Sequence, residues 1–145
     1  MADFEQLNIE SRIFALEQKL RRHRHTGTET EKLGEGSRDV LMSFETGEQT
    51  ATKIYFPFKV QIIKLRGIVM LAIAGTDTGT ITGANADGNS TGGVITAAIS
   101  AALNTEYTAS PTSNVIVEAG SFYKLTSAKT TAGGRVLVSI EFERR

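Results

Sequence analysis

Apolar residues recur in two rhythms along this chain, and the rhythm changes near Asp39. Before that point Ile9, Ile13, Leu16 and Leu20 follow one another at intervals of four, three and four. With Ile13 placed at heptad position a, they occupy d, a, d and a, the seam of a short coiled coil. Arg12 and Lys19 then fall at g and Glu10 and Glu17 at e, so in a parallel arrangement Arg12 faces Glu17 of the neighbouring chain. Asp3 can cap the start of this helix, and acids early with bases late suit its dipole. Gly27 is a natural stop. A helix of this length is marginal alone in water, so it needs burial from partner copies or from the rest of its own chain. The pattern predicts an amphipathic helix within residues 1–25 and a polar linker over 26–38.

From residue 39 to residue 145 the period is two. Val40, Met42 and Phe44 alternate with polar neighbours, as do Ile54, Phe56, Phe58, Val60 and Ile62, with Pro57 marking an edge or bend. Gly67 separates these from Ile68 to Ile73, an apolar run that reads as a strand buried on both faces. Further strands are expected at Thr78–Thr82, Val94–Ser100, Asn114–Glu118 and Ser121–Thr126. Asp87-Gly88 is a strong hairpin signal. The clearest strand is the last, where Val136, Val138, Ile140 and Phe142 alternate with Leu137, Ser139, Glu141 and Glu143. About eight short strands with regular turn signals predict a mainly β, antiparallel, jelly-roll-like sandwich preceded by the helix.

Composition narrows the functions such a body can have. The formal net charge is zero, from 16 basic and 16 acidic residues, which argues against nucleic acid as a partner of the whole molecule. The absence of cysteine removes disulfides, thiolate zinc sites and a cysteine nucleophile. No apolar run is long enough for a membrane-spanning helix, and the N-terminus does not read as a signal peptide.

Candidate chemistry concentrates near the helix end, in Arg21-Arg22-His23-Arg24-His25. His23 and His25 could hold a metal ion on a threefold axis, where three chains supply two imidazoles each. Alternatively the imidazoles and bases complement the carbonyls of a helix terminus. Arg21, Arg22 and Arg24, with Lys19, could bind phosphate or an acidic protein surface, or simply form a solvated face. Glu29 and Glu31 follow closely, and no aromatic is interleaved for stacking. Leu7 and Phe14 fall at b, on the outer face of the helix, and form either a docking strip or a contact with the chain's own linker or β body.

In the β region, Asp77-Thr78-Gly79 looks like the active-site turn of aspartic proteases. It is also what a hairpin turn wants. A serine triad lacks a histidine in this region, and no carboxylate pair stands out as glycosidase machinery. The sequence therefore predicts no catalysis and no cofactor apart from the candidate metal at His23 and His25.

A short parallel helix, a charged junction and a Gly/Thr/Ala/Ser-rich β body resemble the virion proteins of tailed bacteriophages. Over Tyr55 to Arg145 the likeness is carried by Phe56-Pro57-Phe58, Gly75-Thr-Asp-Thr-Gly-Thr80, Ala109-Ser-Pro-Thr112, Val117-Glu-Ala-Gly120 and Thr131-Ala-Gly-Gly134. This order is similar to small β-sandwich decoration and fibre domains of phage heads and tails. Arg22-His23-Arg24-His25-Thr26-Gly27 resembles a junction in phage fibres and spikes, some of which bind iron through a His-x-His pair. The resemblance implies a homotrimeric head decoration (cement or head-fibre) protein of the virion, partnered by the major capsid protein or another virion protein. Its implied alternative is a tail fibre or receptor-binding module touching a host-surface glycan, with Tyr107 and Tyr123 as the aromatic candidates.

Overall fold

The computed structural model describes residues 35–44 and 50–145. Among them nine strands form two antiparallel sheets. The strands are β1 (Glu35–Ser43), β2 (Thr50–Tyr55), β3 (Val60–Leu71), β4 (Gly79–Ala84), β5 (Ser90–Ala97), β6 (Glu106–Ala109), β7 (Ile116–Val117), β8 (Phe122–Ala128) and β9 (Arg135–Arg144). One sheet has the order β1-β9-β3-β6, with β7 also paired to β3, and the other has the order β2-β8-β4-β5.

Alternation explains most of this. On β9 Val136, Val138, Ile140 and Phe142 turn inward, and β1 meets them with Met42 and β3 with Val60, Ile62, Leu65 and Val69. The second sheet contributes Ile54, Ile81, Ile95, Ala97, Tyr123 and Leu125 to the same core. Fully burying a side chain of this size contributes about 1.5–3 kcal/mol, so these positions decide which face of each strand turns inward. Gly67 on β3 is where the sheets come close, because Ile95 of β5 lies 3.2 Å from where a Cβ would stand.

Turn chemistry sets the connections. The chain bends at Pro57-Phe58 between β2 and β3. The Asp-Gly signal closes the β4–β5 hairpin: Gly88 has φ +85°, its N–H donates to the Asn85 carbonyl at 3.0 Å, and the Asn89 N–H donates to Asn85 Oδ1 at 2.9 Å.

Three sequence expectations need correction. The run Ile68–Ile73 is not buried on both faces, because Met70 is 49% and Leu71 50% exposed, beside an irregularity in the pairing of β3 with β9. β1 begins at Glu35, inside the stretch read as linker, where Glu35 to Arg38 pair with Glu143 to Ile140. Tyr123 is fully buried and therefore not a surface aromatic.

The reason for that last burial lies in one polar contact inside the core. The Tyr123 hydroxyl and Thr91 Oγ1 are 2.8 Å apart, and Thr91 Oγ1 also donates to the Gly83 carbonyl at 3.1 Å. Burial pushes the phenol above its usual range, and the Thr91 hydrogen bond partly opposes that. A raised folded-state value stabilises the fold fully below the unfolded value, near 10, and that contribution is lost as pH rises beyond it. Tyr123→Phe is expected to cost about 1 kcal/mol at neutral pH and to flatten the loss of stability above pH ~10, as read by denaturant titration.

Candidate functional site

The Asp-Thr-Gly motif leads from the β3–β4 loop into β4, with Gly79 as the first residue of that strand, and Asp77 has structural partners. Asp77 Oδ1 accepts from Lys129 Nζ at 2.8 Å. The same ammonium donates to the Thr131 carbonyl at 2.8 Å and to Thr131 Oγ1 at 2.9 Å. Asp77 also accepts from the Thr130 N–H at 2.6 Å, from the Thr131 N–H at 3.3 Å and from the Thr131 hydroxyl. The Lys129 side chain has no exposure and that of Asp77 is 28% exposed, so the aspartate is the lid of a buried ammonium site. Lys129, the hydroxyl of Thr131 and the two N–H groups together hold the Asp77 carboxyl far below its usual value of 3.8, against the opposing effect of burial.

The glycines around this loop serve the same clamp. Gly75 has φ +84°, and a side chain there would strike Thr131. Gly79 leaves room for the Phe44 ring, whose Cε2 stands 2.7 Å from where a Cβ would sit. An aspartate fixed as a carboxylate on lysine is unsuited to share a proton with a second aspartate. The clamp joins the β3–β4 loop to the β8–β9 loop, so its chemistry is that of a staple.

Three surface features bear on function. On the outward face of the first sheet, register aligns Leu41 of β1, Leu137 of β9 and Ile68 of β3 in one cross-strand row. Leu41 is 52% exposed, Leu137 and Ile68 are half-buried, and the exposed Met70 and Leu71 extend the row along β3. Towards the other end of this face is an open groove of about 440 Å³ lined by Glu35, Ser37, Ile63, Glu141 and Glu143. Its acids are partly neutralised, by Arg66 on Glu141 at 3.1 Å and by Arg145 on Glu143 at 3.3 Å.

On the outward face of the second sheet, Tyr55 and Phe122 form a cross-strand pair with ring centroids 5.4 Å apart, and Lys53 Nζ lies 4.7 Å from the Phe122 centroid. Tyr55 is 61% exposed. Tyr107 and Tyr123, the aromatic candidates of the sequence, take no part in this pair. Tyr107 packs against the core, and its hydroxyl accepts from the Ala98 N–H at 3.0 Å. The signal for Tyr55 was its place opposite inward-facing Ile54 in the β2 alternation, which the Phe-Pro-Phe segment next to it obscured.

The helix seam Ile9, Ile13, Leu16 and Leu20, with Arg12 and Glu17, lies outside the described residues. So do Leu7, Phe14, Arg21, Arg22, Arg24, His23 and His25. Among the described residues no group of three or more His, Cys, Asp or Glu side chains is placed to hold a metal ion.

No family model matches the chain, and no curated protein matches it. Solved structures give distant likenesses. The catalytic domain of a GH87 alpha-1,3-glucanase in complex with nigerose is 16% identical over 74% of this chain and 22% of its own, with a TM-score of 0.41. FLHE is 8% identical over 77% of this chain and 99% of its own, at 0.37. The Macrobrachium rosenbergii nodavirus P-domain is 9% identical over 79% and 97%, at 0.31. The chain thus spans about a fifth of the glucanase domain, and at these scores none of the three carries an argument about activity.

Proposed function

We propose that the chain is a non-enzymatic structural protein of a tailed-phage virion, a trimeric decoration protein that binds and stabilises the capsid exterior. The observation that carries this reading is the apolar row Leu41–Leu137–Ile68 on the outward sheet face, exposed at Leu41 and half-buried at Leu137 and Ile68. Such a row suits association with another protein surface, because burying it removes apolar area from water without remodelling the fold. The finer architecture proposed is a jelly roll. Support comes from the strand orders: β1-β9-β3-β6 and β2-β8-β4-β5 are those of an eight-stranded jelly roll once the two-residue β7 is set aside. The non-enzymatic reading is supported by Asp77, whose hydrogen bonds serve a clamp between loops.

In this reading the helix seam Ile9, Ile13, Leu16 and Leu20 sets the register of three copies. Leu7, Phe14, Arg21, Arg22 and Arg24 meet the shell, and His23 and His25 either hold a metal ion on the axis or cap the helix. Mechanism reduces to additive interface burial at many equivalent shell positions. Expanded capsids of the cognate phage are expected to bind the protein saturably and to gain resistance to heat and pressure. Capsids that bind none, or that gain nothing on binding, would overturn the cement role.

A tail-fibre or receptor-binding module is the second reading, and a specific feature favours keeping it. Tyr55 and Phe122, with Lys53 beside them, form an exposed aromatic platform of the kind that stacks on sugar rings. Specific binding of the full chain on a glycan array, abolished by Tyr55→Ala, would establish that reading in place of the first.

A further inference from the structure

We infer that the outward face of the β2-β8-β4-β5 sheet binds an acidic polysaccharide, one whose sugar rings carry carboxylates. The inference rests on the receptor-binding reading above, whose aromatic platform it uses, and adds the charge of the ligand. Three successive cross-strand rows on this face carry it. Tyr55 stands opposite Phe122, then Lys53 opposite Lys124, then Ala51 opposite Thr126, with Thr82 of β4 next in that last row. Successive rows on one face lie about 7 Å apart along the strands.

The charge of this sheet is one-sided. Its four strands contain Lys53 and Lys124 and no aspartate or glutamate. Like charges directly opposite each other on a sheet are destabilising, and register sets these two lysines opposite each other. Among the described residues neither ammonium enters an ion pair. Glu118, in the loop leading into β8, is already bridged to Lys59 at 2.9 Å. An anion between the two lysines would turn their repulsion into attraction.

The aromatic pair says what kind of anion fits. Lys53 Nζ stands over the Phe122 ring, 4.7 Å from its centroid, while the Tyr55 ring beside it is open to solvent. A pyranose can lay its C–H face on that open ring. A carboxylate borne on the pyranose itself then points toward the lysine row. The next row offers the hydroxyls of Thr126 and Thr82 for the hydroxyls of a following sugar, so a saccharide chain can run along β8. Single-stranded nucleic acid also combines rings with anions, but it uses a basic groove and several aromatics for successive bases. Two lysines and one open ring match it less well.

The test is calorimetric titration of the full chain at low salt with oligogalacturonate. Its fully methyl-esterified form, polyglutamate and oligo-dT are titrated in parallel, and thermal melting verifies that each variant is folded. Oligogalacturonate should bind, and esterification, which keeps the rings and removes the charge, should weaken binding about tenfold or more. Lys53→Gln and Lys124→Gln should each weaken it several-fold, and Tyr55→Ala about tenfold. Added salt should weaken the acid form and leave the ester unchanged. A full chain that does not bind oligogalacturonate overturns the inference, as does a folded variant with both lysines replaced that binds it like wild type. Polyglutamate or oligo-dT binding as tightly overturns it in favour of an acidic protein or a nucleic acid. An ester that binds as tightly as the acid, with both lost in Tyr55→Ala, sinks the acidic ligand alone and keeps the receptor-binding reading. A glycan array on which nothing binds sinks both.

Discussion

Gly83→Ala is expected to be the most damaging small substitution in the β body, lowering stability by about 3–5 kcal/mol. Gly83 sits on β4 opposite Leu125 of β8, where the pairing with β5 is irregular, and it is buried. The Tyr123 side chain lies across it to reach Thr91 on β5, and a Cβ at position 83 would overlap the phenol hydroxyl and the ring tip. The methyl group cannot be absorbed by rotating the ring, since Tyr123 is fully enclosed by the core. Displacing it also deprives Thr91 Oγ1 and the phenol of each other. Denaturant titration should show the loss as a lower midpoint with an unchanged slope.

A sign reversal makes this prediction specific. Tyr123→Phe should destabilise wild type but stabilise Gly83→Ala, because deleting the hydroxyl removes part of the overlap. A non-additivity of about 1 kcal/mol or more is expected from such direct contact. Additive effects would show that the tyrosine does not lie over Gly83.

How much of this could be read in advance depends on how far apart the partners lie in sequence. β9 was legible because Val136 to Phe142 alternate without a break and each inward residue is buried. The Asp87-Gly88 hairpin was legible because its hydrogen bonds close within five residues. β6 was not, since Glu106-Tyr-Thr-Ala109 is four residues long and gets its strand character from pairing with β3, some forty positions earlier. Glu35 to Arg38 read as linker because that half of β1 is polar on nearly every position, and its partner is the far end of the chain.

The same distance hid the candidate sites. Leu41, Leu137 and Ile68 are unremarkable singly, and only register makes them a row. Ile68 to Ile73 looked doubly buried because a strand whose outward face is apolar carries the same composition as one covered on both sides. Tyr123 looked like an edge aromatic because the glycine that admits it is forty residues away. Asp-Thr-Gly was legible as a turn, but Lys129 lies 52 residues beyond Asp77, so the motif's catalytic and structural meanings could not be separated locally.

Asp77→Asn follows from that separation and is the second large effect expected. The substitution keeps the shape and removes the charge, leaving a fully buried ammonium with only the carbonyl and hydroxyl of Thr131 and a neutral amide. Breaking a buried pair from one side is far more costly than removing both partners, and the melting midpoint should fall by roughly 10 °C at neutral pH. The pH dependence has a definite sign. Because the folded-state carboxyl is held below its unfolded value of 3.8, its contribution is present above that value and lost as pH falls beneath it. The gap between wild type and Asp77→Asn should therefore be constant above about pH 5 and close progressively below pH ~4. Lys129→Met should cost less, since the partly exposed Asp77 keeps the Thr130 and Thr131 N–H groups and water. Adding it to Asp77→Asn should recover much of the loss, because methionine fills the site with no charge to desolvate. Calorimetry across pH 2–8 on the four proteins reads all of this at once. A gap that widens toward low pH, or a double variant less stable than Asp77→Asn, would mean that the pair does not act as the staple between these two loops.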